Sequence, residues 1–486
     1  MTRQSRSIWW NGRMVVLAVV LVGTLVVLGA TGSVQGQGPT RLVPIGAGYE
    51  ADTLELFAAQ AAAHDSDGVV TIRVLPITYH VRPDAILPPI RRENLELAGE
   101  RAEQIREACQ AVAAAGQTCA ATVVDIQIRP DALAPERVAQ LGPEVDGFYI
   151  LGGDQTVGMQ VVANTPTEAA LAAGFAAGAA VGGNSAGAAV ISRYMIGGYA
   201  GDNSAWDGLH QGALDLWYGP DSSERRGLIF GLPEAVIDQH VLERGRTARL
   251  LQAMVAKPDD KLAVGFDWGT AGVIDESLLV HDITGWYAAI ALDGETYGAA
   301  ADASYVGDDP AILAIHDVAY HVLPPGPYGY DLTARQPLVD GVAQPAPDIS
   351  GRNFDVLLPE EGAGALFVSG DLSAATRGAV MTEFVAAANA AGGPTIVLSA
   401  GPRQRAAEGW GRFWRNRLRN MGLAERPTII TLTPATNQTA LAARLAGAGA
   451  IFFTGNDAVL MADLVAAMRA AGTDTALRDW WLGGGV

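Results

Sequence analysis

Val181-Gly182-Gly183-Asn184-Ser185-Ala186-Gly187, continued by Ala188-Ala189-Val190-Ile191, reads as an apolar strand that enters a tight turn holding one serine and leaves at once as a helix. A G-x-S-x-G string in that setting is a nucleophile elbow: it lifts the serine hydroxyl above the sheet. The first N–H groups of the new helix then face the space where an oxyanion would form. Ser185 is therefore the candidate nucleophile. The pentapeptide alone is a weak signal, because a chain with 58 glycines produces it by accident.

Outward from the elbow, short β-rich runs alternate with alanine-rich helical stretches. In the first half the strand candidates are Leu42–Ile45, Val69–Leu75, Thr122–Ile128, Phe148–Leu151 and Ala179–Gly182. Most are apolar on both faces, as parallel strands covered by helices are, so the expected class is α/β. The order returns in the second half at Ala365–Ser369, Thr395–Ser399, Thr428–Leu432, Ile451–Thr454 and Trp480–Val486. Phe148-Tyr149-Ile150-Leu151-Gly152-Gly153-Asp154-Gln155 matches Ile451-Phe452-Phe453-Thr454-Gly455-Asn456-Asp457-Ala458, which points to a duplicated domain. Ala458 stands where the first copy has Gln155, and the step that leads from Gln155 to Ser185 would overrun Val486. The expectation is a truncated or degenerate second copy over 361–486, after a Pro- and Gly-rich linker at 336–360.

Composition narrows the function classes. At 486 residues the chain is long for one core, and with 17% charged residues it is neither disordered nor a coiled coil. A net charge of −19, with no basic run beyond the extreme N-terminus, argues against a nucleic-acid partner. Arg3, Arg6 and Arg13 precede an apolar stretch at 14–30 and a small polar segment; residues 1–36 read as a secretory signal, with an uncleaved membrane anchor as the alternative. The location expected is secreted or extracytoplasmic. Export would make a disulfide between Cys109 and Cys119 plausible. No spacing of ligands suggests a metal, and no phosphate loop suggests a nucleotide, so no cofactor is expected.

A serine needs a base within hydrogen-bond reach, held in turn by an acid. Of seven histidines, His240 alone has the right surroundings. Ala235-Val236-Ile237 reads as a buried strand, Asp238-Gln239-His240 as its polar exit, and 241–255 as an amphipathic helix carrying Arg244, Arg246 and Arg249. The C-terminal edge of a strand is where α/β sheets assemble sites. Fixed guanidinium groups there would clamp a carboxylate; the bland alternative is a solvated basic face partnered by Glu243.

Gly152-Gly153-Asp154-Gln155, Gly183-Asn184-Ser185-Ala186-Gly187-Ala188, and Asp238-Gln239-His240 followed by Arg244, Arg246, Arg249 and Leu250 together resemble the cyanophycinases, serine exopeptidases of the dipeptidase E clan. The resemblance covers residues 41–335. It implies a three-layer αβα sandwich with a mainly parallel sheet, related to class I glutamine amidotransferases. It also implies release of β-aspartyl-arginine units from cyanophycin through an acyl-enzyme. By the same resemblance Ser185 and His240 do the chemistry, and Gly153 and Ala186 form the oxyanion hole. Gln155, Asp238, Gln239, Arg244, Arg246 and Arg249 would hold the substrate. The partner implied is a peptide, with no nucleic acid and no membrane beyond an N-terminal anchor; a homodimer stays open.

One departure stands out. The family places a glutamate after Gly-[Ile/Val]-Asp, whereas this chain reads Gly265-Phe266-Asp267-Trp268. Asp267 and Asp202 are the substitutes the sequence offers for the missing acid. A rival reading is a retired homologue that binds aspartyl or arginyl peptides without cleaving them.

Overall fold

Leu42–Ile45, Gly147–Ile150 and Ala180–Asn184 are buried at every position, as strands covered on both faces must be. The computed structural model of the chain describes residues 41–304, 312–345, 364–367, 379–401, 404–433, 436–454 and 467–486. The signal expected at 1–36 lies outside them. Among the described residues no helix is long and apolar enough to cross a membrane. The chain divides into two units, Met1–Pro347 and Asp348–Val486.

In the first unit five strands lie side by side and parallel, in the order Thr118–Val123, Val69–Leu75, Gly147–Ile150, Ala180–Asn184, Leu42–Ile45. Successive side chains of a strand point to opposite faces, and the core divides accordingly. Phe148 and Ile150 pack with Val157, Met159 and Leu171 from helices Gln155–Val162 and Pro166–Ala177. Tyr149 packs on the other face with Phe57 and Ile105, from helices Ala51–Ala62 and Pro88–Val112. The result is the expected αβα sandwich. Beyond Leu42–Ile45 the sheet continues antiparallel, through Thr270–Ile274 and Leu279–Gly285 to the hairpins ending at Val342–Ala343. A second sheet pairs Ala235–Gln239 parallel to Leu262–Phe266 and continues antiparallel through Ala289–Asp293 and Ala319–Leu323.

Three sequence expectations need correction here. The third strand is Thr118–Val123, not Thr122–Ile128. After Val123 the chain leaves the ladder because Asp125 accepts from Arg91 and Arg137, and Gln127 bonds Asn94 and Asp125. The linker does not begin at residue 336. Gln336–Val339 and Val342–Ala343 form a hairpin at the sheet edge. Its two-residue turn is Asp340-Gly341, with φ of +51° and +71°, the pairing that a type I′ turn demands. Finally, Trp480 does not open a strand: Thr473–Leu482 is helical, and Trp480 donates its ring N–H to the Ala448 carbonyl.

The second unit has a three-stranded parallel sheet in the order Thr428–Leu432, Thr395–Ala400, Ala450–Thr454. That is the order of the first three strands of the first unit. Residues 364–367 carry no strand, and 368–369 and 455–458 of the expected repeat lie outside the described residues. Cys109 and Cys119 are joined as a disulfide between helix Pro88–Val112 and strand Thr118–Val123.

Candidate active site

Strand Ala180–Asn184 delivers Ser185, whose φ is +52°, directly into the short helix Ala186–Ala189. The glycines on either side have a steric reason. A Cβ on Gly183 would lie 2.6 Å from the Ile150 carbonyl oxygen, and one on Gly187 would lie 2.1 Å from it. The turn fits only because both positions lack a side chain. Asn184 Oδ1 accepts the Gly152 N–H at 3.1 Å, and Ser185 N–H donates to the Ile45 carbonyl at 2.9 Å, which ties the turn to both neighbouring strands. Gly152 lines the cavity below, and Gly153 follows in the same loop.

His240 arrives from the second sheet. It follows strand Ala235–Gln239 with a φ of +53°, so two non-glycine residues in the left-handed region face one another. Each such conformation costs about 1–3 kcal/mol and persists where the surroundings enforce it, often at functional sites. Ser185 Oγ lies 3.0 Å from His240 Nε2, and His240 Nδ1 lies 2.5 Å from Glu243 Oε2. A carboxylate can only accept, so the proton belongs on Nδ1, and Nε2 is left with a lone pair toward the serine hydroxyl. Burial pushes the His240 imidazole below its ordinary value; Glu243 works against that, and Arg244 and Arg246 add to it.

The acid beside the histidine is therefore neither residue the sequence offered. Asp267 is buried, and its Oδ1 accepts the Glu243 N–H at 3.0 Å: it holds the backbone of the residue that touches His240. Asp202 is exposed in the turn after strand Met195–Tyr199. Glu243 reaches the ring because 241–245 is a turn and the helix begins only at Thr247. The clue was Gly245, with a φ of +61°, which interrupts the helix expected from Val241. Trp268 lines the cavity, its ring centroid 5.9 Å from that of His240.

The expected substrate-holding residues are largely engaged with one another. Arg249 donates to both oxygens of Asp238, at 2.8 and 2.6 Å, and both side chains are buried. Arg246 donates to Gln239 Oε1 at 2.7 Å; burial, then Arg249, hold its guanidinium down to about 10. Gln155 is buried and gives its amide hydrogens to the Ile196 and Gly197 carbonyls. Arg244 is half exposed, with Nε 3.4 Å from Glu243. The cavity itself, of about 480 Å³, is lined by Tyr49, Glu50, Arg101 and Trp268 together with Ser185 and His240. Tyr49, Glu50 and Arg101 carried no motif that sequence reading could find. Among the described residues no cluster of acids, histidines or cysteines could hold a metal ion.

No family model matches the chain. It is 30% identical over 192 residues to the cyanophycinase of Geminocystis herdmanii, covering 39% of this chain and 64% of the relative. To the cyanophycinase of a Nostoc species it is 28% identical over 208 residues, covering 41% and 62%. The chain thus spans a little under two thirds of the length of these curated relatives. Among solved structures, a peptidase from an acI-B1 actinobacterium aligns with a TM-score of 0.37 at 17% identity, over 52% of this chain and 91% of that one. So distant a likeness adds nothing to the strand order above.

Proposed function

We propose, from the similarity to cyanophycinases, that this chain is a serine-type exopeptidase cleaving β-aspartyl-arginine units from cyanophycin or related β-aspartyl peptides outside the cytoplasm. The observation that carries the proposal is the continuous chain of contacts from Ser185 Oγ through His240 to Glu243. In it Ser185 Oγ attacks the scissile carbonyl carbon as its proton passes to His240 Nε2. The carbonyl π pair moves onto oxygen, facing the N–H groups of Ala186 and Gly153. Glu243 stabilises the imidazolium and fixes its tautomer. Collapse of the tetrahedral intermediate expels the amine, which takes the proton from His240. Water then enters by the same route in reverse and frees the acid from the serine ester.

The rival reading, a binding protein with a retired site, draws on Trp268 standing where the relatives' acid is expected. Glu243 beside His240 supports the peptidase reading, because it supplies an acid from another position. The experiment is release of β-aspartyl-arginine from purified cyanophycin by the wild type, Ser185→Ala and His240→Ala. The peptidase requires turnover by the wild type and its loss in both variants. Tight binding of the dipeptide by a wild type that turns nothing over would establish the retired site instead.

A further inference from the structure

A charged group that lines an active-site cavity and has no ion-pair partner in the protein is a candidate for ligand recognition. Beside Ser185, Asp238 and Arg249 form a buried ion pair, and Arg246 is hydrogen-bonded to the neutral Gln239 amide. Arg101 and Glu50 line the same cavity as Ser185, and among the described residues neither makes an ion pair.

Arg101 projects from helix Pro88–Val112. Its guanidinium lies 4.1 Å from the Tyr49 ring centroid, and one nitrogen donates to Gln104 Oε1 at 2.9 Å. Arg101 also hydrogen-bonds the Tyr79 side chain; a guanidinium has five N–H donors, so donors remain for a carboxylate. Glu50 sits at the N-cap of helix Ala51–Ala62, but its side chain makes no capping bond. Glu50 is among the residues that line the cavity.

We infer that Arg101 and Glu50 are the specificity-determining pair of this site: Arg101 binds a carboxylate of the substrate, and Glu50 binds its cationic group. The ligand class is a small peptide unit bearing both charges. This rests on Ser185 marking the reacting end of the cavity, and it moves charge recognition away from the Asp238 and Arg249 cluster, whose pairing makes it a framework.

The test uses two synthetic β-aspartyl-arginine substrates, one with a free and one with an amidated α-carboxylate, and a third in which a neutral ureido group replaces the guanidinium. The wild type is expected to favour the free carboxylate over the amide by roughly 10- to 100-fold in KM, the range of one charged hydrogen-bonded contact. Arg101→Met should abolish that preference with little change in kcat, and Arg101→Lys should restore part of it. Glu50→Gln should erase the preference for guanidinium over ureido. Unchanged discrimination in Arg101→Met or in Glu50→Gln, with cooperative melting intact, overturns the assignment. If the wild type turns over none of the three, calorimetric binding of the same compounds to Ser185→Ala decides. Discrimination that vanishes with Arg101→Met and with Glu50→Gln sustains the charge pair while sinking the peptidase; equal binding or none rejects the pair.

Discussion

Glu243 touches His240 from only three residues away, with about two fifths of its side chain exposed and Arg244 close by. If it holds the imidazole, Glu243→Gln leaves the ring in the wrong tautomer, and kcat should fall by about three to four orders of magnitude. Asp267→Asn acts one step further out, through the Glu243 N–H, and should cost less. The pH dependence carries a sign. His240 works as a base when neutral, and burial lowers its pKa, so the acid limb of kcat/KM should lie below the ordinary histidine value of about 6.5. Arg244 pushes that pKa down, so Arg244→Ala should move the limb toward higher pH. Glu243 pulls it up, so the residual activity of Glu243→Gln should titrate at lower pH; rate profiles from pH 4 to 8 would check both. Ser185 and His240 were legible in the sequence because their turns have local signatures. Glu243 was not, because an apparent helical period ran through Gly245 and assigned it to a solvated face. Arg101 was invisible for a different reason: Tyr49 and Glu50, which line the cavity with it, lie far away in the chain, and nothing local marks it.

At the scale of elements, the elbow depends on Gly187 lying against the end of strand Gly147–Ile150. Gly187→Ala places a methyl group 2.1 Å from a carbonyl oxygen, and overpacking of that kind costs about 1–3 kcal/mol. The expected result is a lowered melting temperature together with lost activity, because the turn that carries Ser185 must move. Reducing the Cys109–Cys119 bond removes a constraint on a short loop and should lower stability by about 2–3 kcal/mol, measured by denaturation with and without reductant. The buried parallel strands were legible because their apolar runs have one reading in an α/β pattern. The Asp340-Gly341 hairpin was missed although Asp-Gly between apolar residues is itself a type I′ signal, because the Pro- and Gly-rich surroundings read as a linker.

At the scale of the molecule, the first unit contains every residue of the candidate site, and the second repeats the order of three parallel strands. The chemistry is proposed for the first unit alone, and export is proposed from residues 1–36. N-terminal sequencing of protein recovered outside the cytoplasm would show cleavage near Gly36 if the segment is a signal, and an intact N-terminus in the membrane fraction if it is an anchor. The α/β class could be read from the alternation of apolar strands and helical stretches, whereas the three-layer αβα arrangement came only with the family resemblance. The second sheet, which brings His240 to Ser185, could not, since nothing in sequence fixes which strands leave the main sheet. The measurement that tests the central claim most directly is the rate of β-aspartyl-arginine release by the wild type, Ser185→Ala and Glu243→Gln under one set of conditions. The account predicts turnover by the wild type, none by Ser185→Ala, and about a thousandth or less of the rate in Glu243→Gln. Full activity in either variant would contradict it.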